Sequence, residues 1–267
     1  MDEEEPAEGG KRALVIAAHP DDAEFCCAGT AALWIREGWE FHYLICSDGS
    51  KGTDDPHLSR ERLAAIRQQE QRAAAAVLGV KEVSFLNYED GEIIYQRELL
   101  GEIVRHIRPR AVFTHEPVHI VRNIYLNHPD HRTVGTLALD AVHPIARNRP
   151  SFPEHADEGL EPHRVRELYL WTSNEPNLSI DITEVVDLKF KALACHRSQF
   201  AHIGERMMPR FCRDVPILPQ VASRLFWFAS SRSLFWFALS RTKVWGRRWA
   251  DEDGRFKENF RRLELPS

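Results

Sequence analysis

The chain has 267 residues, 43% hydrophobic and 28% charged, the balance of a globular fold and not of a fibrous or disordered chain. Its formal charge of -5 sits at the start: 1-MDEEEPAEGG-10 holds five acids and no base, and the remainder balances at 35 basic and 35 acidic residues, which excludes a global field that gathers nucleic acid. There is no basic-then-apolar leader and no apolar run of ~18 residues, so the sequence points to a cytoplasmic protein with a disordered acidic N-terminus over 1–11.

Five short β-rich runs are predicted as strands: 13-ALVIAA-18, 41–47, 82–86, 111–115 and 167–172. Helical patterns fill 25–37, 58–78, 96–107 and 130–146, the second ending at Gly79 as a C-cap. This alternation is that of βαβ units. It predicts a single α/β domain over 12–267, with a Rossmann-like, doubly wound, mostly parallel sheet of order 3-2-1-4-5. A further short strand is expected at 178–183. A helix over 183–200 should follow, capped by Thr183 and packed on the sheet through Val186, Phe190, Leu193 and Ala194. Two proline-rich loops, 116–129 and 148–164, are long enough to suggest function. Five cysteines without a C-x-x-C pair signal neither a disulfide framework nor a thiolate zinc site.

Residues 215–250 stand apart, with no acidic residue and four of the seven tryptophans. Leu-Phe-Trp-Phe-Ala occurs at 225–229 and again at 234–238, an offset that puts the copies on opposite faces of a helix. A helical lid or subunit contact would cover these aromatics, and a membrane-surface role is the alternative.

In a sheet of this order, the crevice opens beyond the carboxyl ends of the first and fourth strands. The first strand runs into His19-Pro20-Asp21-Asp22, and the fourth leads through a loop into 127-NHPDHRTVG-135. Two histidine/aspartate clusters far apart in the chain thus meet at one rim. Nitrogen and carboxylate donors suit zinc, and a catalytic site takes three protein ligands while leaving a position for water. His19, Asp22 and His131 are the expected ligands. Asp21, beside the ion but not consumed by it, is the expected general base. His128, one turn from His131, is expected as an imidazolium that stabilises an oxyanion and protonates the leaving amine, with Asp130 holding it. Taken alone, H-P-D-D could also be a capped turn, since Asp is a common N-cap. Glu24 is expected to cap backbone amides or brace a site residue, and His115 and Glu116 to be supporting or structural.

The stretches 17-AAHPDDAEFCCAGT-30 and 128-HPDHRTVG-135 resemble the zinc-dependent N-acetylglucosamine deacetylases of the PIG-L/LmbE type. 48-DGSKGTDD-55, 64-AAIRQQEQRAAAAVLGV-80, 86-LNYEDGE-92, 180-IDITEVVDLKFKALACHRSQF-200 and 256-FKENFRRLELP-266 are similar to the diacetylchitobiose deacetylase branch. The resemblance implies a zinc hydrolase with one ion per chain, acting on a small amino sugar, and a homo-oligomer, trimer or hexamer. It puts the metal on His19, Asp22 and His131, the base on Asp21, the acid on His128, and substrate contacts on Arg67 and Asp90. Arg67 has separate support, because it lies on a mostly apolar helix stripe where a guanidinium needs a partner. An amidase for another glucosamine conjugate, a thiol-sugar or a glycopeptide antibiotic, is the rival enzyme. A non-catalytic α/β binding module is the rival class, weakened by the absence of G-x-G-x-x-G after the first strand.

Overall fold

The structure is a computed structural model that describes residues 10–199, except 96, 123 and 124, together with 255–265. Residues 1–9 of the acidic start and the aromatic segment 215–250 lie outside the described residues. Five parallel strands, β1 (Arg12–Ala17), β2 (Glu40–Ser47), β3 (Glu82–Tyr88), β4 (Ala111–His115) and β7 (Glu167–Trp171), pair in the order β3-β2-β1-β4-β7, the predicted 3-2-1-4-5. Two antiparallel strands, β9 (Lys257–Glu264) and β8 (Leu178–Asp181), extend the sheet to β3-β2-β1-β4-β7-β9-β8.

Alternate side chains of β1 feed two cores, which is why its run reads as continuously apolar. Ala13, Val15 and Ala17 face a layer of α1 (Asp22–Arg36), α2 (Arg60–Leu78) and α5 (Val186–Leu193). Leu14, Ile16 and Ala18 face α3 (Arg97–Ile107) and α4 (Pro129–Asp140). Helix α2 starts at Ser59, whose hydroxyl accepts from Arg62 N, and ends at Gly79 with φ 84°, the predicted cap.

Two predicted helices are shorter than their patterns. The 130–146 pattern is α-helical only to Asp140, because Pro144 lacks an amide hydrogen and pushes His143 to φ −147°, ψ 117°. The 183–200 pattern opens as a 3-10 turn, Thr183–Val185, and is α-helical only over Val186–Leu193. Thr183 does not cap it, since its hydroxyl accepts from Phe256 N in the segment that leads into β9. Its main helix neighbours are α1 and α2, and it meets the sheet as expected: Val186, Phe190 and Leu193 share the core of Ala13, Val15 and Ala17, and Lys189 reaches Glu258 of β9. The 116–129 loop carries a small hairpin, β5 (Val121–Arg122) with β6 (Tyr125–Leu126).

Strand β9 fixes α1 in place. Glu258 accepts from Gly29 N, Thr30 N and the Thr30 hydroxyl, and pairs with buried Lys189 of α5 at 2.5 Å. Removing either partner would leave a buried unpaired charge, at a cost of about 3–5 kcal/mol. Both helix α1 and the residues that open it are therefore held rigidly against the sheet.

Candidate metal centre and active site

β1 ends at Ala17 and α1 begins at Asp22, so the chain turns sharply between them. Asp21 takes the turn with φ 110° and ψ −26°, a left-handed conformation that costs a non-glycine residue roughly 1–3 kcal/mol. The two adjacent carboxylates consequently meet different partners. Asp21 Oδ2 lies 3.2 Å from the Arg67 guanidinium, and its amide donates to Gln71 Oε1 at 2.9 Å. Asp22 turns instead to His19, His115 and His131.

The second cluster starts a helix one step earlier. Pro129 is the first residue of α4, and His128 is the N-cap, its Nδ1 accepting from Asp130 N at 3.2 Å. One residue on from Asp130, His131 reaches back to the first cluster. His19 Nδ1 lies 3.2 Å from His131 Nε2 and 3.4 Å from Asp22 Oδ2, and His131 Nε2 lies 3.3 Å from Asp22 Oδ1. At zinc bond lengths, the edge of a tetrahedron is about 3.3 Å. Each pair of the three predicted ligands lies about such an edge apart, Asp22 meeting His19 through one oxygen and His131 through the other, and their donor types suit zinc.

The predicted partnership of Asp130 with His128 is not the one that forms. The Asp130 carboxylate lies 3.2 Å from His19 Nε2 and accepts from Gly91 N at 2.8 Å. Asp90 also faces His19 Nε2, at 3.3 Å, and accepts from Lys51 N. His19 therefore presents Nδ1 to the ligand cluster and Nε2 to two carboxylates, the arrangement that fixes the ring of a metal-binding histidine. Arg67, only 4% exposed, donates to Gly49 O and Pro20 O as well as facing Asp21. Gly49, at φ +63°, leaves room for it: a Cβ there would lie 2.6 Å from the guanidinium.

The electrostatics divide the two aspartates further. Burial pushes the Asp21 carboxyl up to about 6, against the pull of Arg67 and with the help of Asp22. Asp22 is buried too, but His131 and His115 hold its carboxyl well below the usual range. Burial alone would lower His19, yet hydrogen bonds to Asp130, Asp22 and Asp90 push it up to about 12. Three carboxylates thus converge on one imidazole ring. Desolvation, with His19 and His131 close by, lowers His128 below the ordinary imidazole value.

Residues 14–142 match the PIG-L family, described as GlcNAc-PI de-N-acetylase. A diacetylchitobiose deacetylase of Thermococcus kodakarensis is 36% identical over 201 residues, which cover 73% of this chain and 73% of that protein. The chain belongs to the PIG-L family. A probable N-acetyl-alpha-D-glucosaminyl L-malate deacetylase 2 of Bacillus anthracis is 28% identical, over 72% of this chain and 82% of its own. The structure of N,N'-diacetylchitobiose deacetylase from Pyrococcus horikoshii, in complex with an inhibitor, superimposes with a TM-score of 0.72 at 31% identity, covering 99% of this chain and 88% of that one. PIG-L proteins are metal-dependent amide hydrolases, and this chain is an enzyme of that family.

Among the described residues of this PIG-L chain, three overlapping groups could hold a metal ion: His19, His128 and His131; Asp22, His115 and His131; and His19, Asp90 and Asp130. Sequence reasoning did not find the layer behind them. Gln71 links the Asp21 amide to Glu24, and Glu24 in turn pairs with His196 at 3.1 Å, all three fully buried. Glu24 thereby braces Asp21 through Gln71 and is itself held by His196, two residues that no local pattern marked. Gln71 does lie one helical turn from Arg67 on α2, and a buried glutamine on that stripe was the available signal. Among the described residues, no helix is long and apolar enough to cross a membrane.

Proposed function

We propose that this enzyme removes the acetyl group from the 2-acetamido nitrogen of an N-acetylglucosamine unit, with one zinc ion held by His19, Asp22 and His131. The observation that carries the reading is the division between neighbours: Asp22 faces the ligand histidines while Asp21, nearest to Arg67, is left out of the cluster with its carboxyl raised to about 6. A bound zinc ion acidifies water and polarises the amide carbonyl. Asp21 takes a proton from the attacking water and returns it to the departing nitrogen, so that acetate and a free amine leave. A base poised near neutrality suits both halves of that transfer.

His128 supplies a hydrogen bond. Its Nδ1 is engaged by Asp130 N, so the neutral ring carries its proton on Nε2 and can donate to the carbonyl oxygen as charge develops there. An imidazolium would have to break that cap, and its lowered proton affinity opposes it. We assign His128 this hydrogen-bond role in place of the acid role. Arg67 holds Asp21 in its left-handed turn, and Asp90, at the rim beside His19, accepts from a sugar hydroxyl. The assembly we propose is a homo-oligomer, trimer or hexamer, in the cytoplasm, supported by the resemblance to deacetylases.

Acetate release from N-acetylglucosamine, diacetylchitobiose and acylated glycopeptide substrates tests the reading, with zinc-loaded and chelator-treated protein side by side. Release from the first two, lost on chelation and restored by zinc, is expected. Release from the glycopeptide alone would favour the rival conjugate, and chelator-insensitive turnover would remove zinc from the mechanism. Light scattering gives the oligomer mass.

A further inference from the structure

The group Asp22, His115 and His131 raises the question whether His115 is itself a ligand. His115 ends β4, is 1% exposed, and stacks on His131 with ring centroids 4.1 Å apart. Three groups meet its nitrogens. Trp171 Nε1 lies 3.0 Å from Nδ1, Ala18 N lies 3.1 Å from Nε2, and Asp22 Oδ2 lies 3.4 Å from Nε2.

The indole and the backbone amide are donors only, and a neutral imidazole has a single lone pair on nitrogen to offer. With its proton on Nδ1, the ring would set two N–H groups head to head at Trp171 and aim the Nε2 lone pair at a carboxylate. Two contacts would then be mismatched. With its proton on Nε2, Trp171 bonds to Nδ1 and the Nε2–H lies against Asp22 Oδ2. Only the Ala18 amide is then mismatched, while Asp22 Oδ2 also accepts from the His19 amide at 2.8 Å.

Resting on the ligand reading of Asp22 above, we infer that His115 is not a metal ligand but a positioning residue, whose Nε2–H is fixed by the Trp171 indole and holds Asp22 Oδ2. Asp22 Oδ1, 3.3 Å from His131 Nε2, is then the oxygen turned to the ion. A hydrogen bond of this kind would orient the carboxylate toward a bound ion.

The test measures zinc affinity by chelator competition and zinc content at saturation in His115→Asn, His115→Gln, His115→Ala and Trp171→Phe. The Gln amide reaches the Nε2 position and can still donate to Asp22, whereas Asn and Ala cannot. His115→Asn and His115→Ala should weaken zinc about 10–100-fold while still filling at one ion per chain. His115→Gln should recover most of that loss, and Trp171→Phe should lose less than His115→Asn. Equal weakening by Gln and Asn overturns the inference, and so does complete loss of zinc in His115→Ala. Nitrogen-15 NMR of histidine-labelled, zinc-loaded wild-type protein gives a readout that needs no variant: the Nε2–H tautomer is expected for His115, and the Nδ1–H tautomer overturns the inference. Wild-type protein that binds no zinc defeats the ligand reading and this inference together. Zinc-binding wild type with unaltered affinity in His115→Asn defeats this inference alone.

Discussion

His-Pro-Asp occurs twice at the site, as 19-HPDD-22 and 128-HPDH-131, and the two copies fold differently. In the first, the helix begins only at the fourth residue, so the third, Asp21, is the cap and sits at φ 110°. In the second, the helix begins at Pro129, and the first residue, His128, is the cap. The same third-position aspartate therefore ends in opposite places. Asp21 is swung toward Arg67 and away from the ligands, whereas Asp130, inside a regular first turn, points at His19 Nε2. A motif of this kind fixes which donors are available. Where the helix starts fixes which of them reach the ion.

Four sets of measurements test that difference, from the largest expected effect to the smallest. Asp21→Asn should lower turnover by about 10²–10⁴-fold while zinc content stays at wild-type level, because the base is lost and the ligands are not. His131→Ala should instead empty the site, and zinc analysis of the two proteins separates the roles. If Asp21→Asn were the one to lose zinc, the assignment of the two aspartates would be reversed.

Asp130→Asn, the equivalent change in the second copy, should act on the metal. Losing its carboxylate removes one partner of His19 Nε2, and zinc affinity should fall about 10–100-fold with turnover at saturating zinc little changed. A drop in turnover at full zinc occupancy, matching that of Asp21→Asn, would show that the two aspartates share one task.

The pH dependence separates the same two groups by sign. Asp21 must be ionised to accept a proton, and its carboxyl is raised to about 6, so kcat/KM should be present above that pH and fall as the pH drops through it. Asp21→Asn should abolish this limb. Zinc binding has to displace the proton that three carboxylates hold on His19, whose proton affinity is pushed up to about 12. Affinity should consequently rise by about tenfold per pH unit between pH 5 and 8, with about one proton released per ion, measurable by calorimetry in buffers of different ionisation enthalpy.

The smallest expected readout is the stability that depends on the cap. His128→Asn keeps an N-cap acceptor but loses the Nε2–H donor, and His128→Ala loses both. Each should reduce turnover by about 10²–10³-fold. Thermal melting should place the Ala variant about 1 kcal/mol below the Asn variant in stability. Equal stabilities would mean that the Asp130 amide does not depend on His128.

Much of this architecture was legible in the chain. The order 3-2-1-4-5 follows from five apolar runs separated by helical periods, because alternation of that kind leaves few ways to bury both faces of a sheet. Gly79 was readable as a cap for the local reason that only a residue at ease with positive φ ends a helix in that way. The shortened ends of α4 and α5 were misjudged because periodicity continues past the point where Pro144, or the pull of Phe256 on Thr183, stops the hydrogen-bond ladder. Strand β9 had no distinct pattern, since it pairs with β7 and β8, strands about 80 or more residues earlier in the chain.

By itself, the sequence determined the fold class and the set of donors at the rim: His19, Asp21, Asp22, His128, Asp130 and His131 come in two tight clusters, each placed by the end of a strand or the start of a helix. Tertiary structure decided where each donor points. Asp130 turns to His19 because Gly91 N, in the loop after β3, helps to hold its carboxylate there. His115 meets Asp22 on one side and Trp171 on the other because β1, β4 and β7 lie side by side. Gln71 and His196 reach Glu24 from two separate helical regions. Orientation is set by hydrogen bonds between residues about 40 to 170 positions apart, and no local spacing encodes those distances.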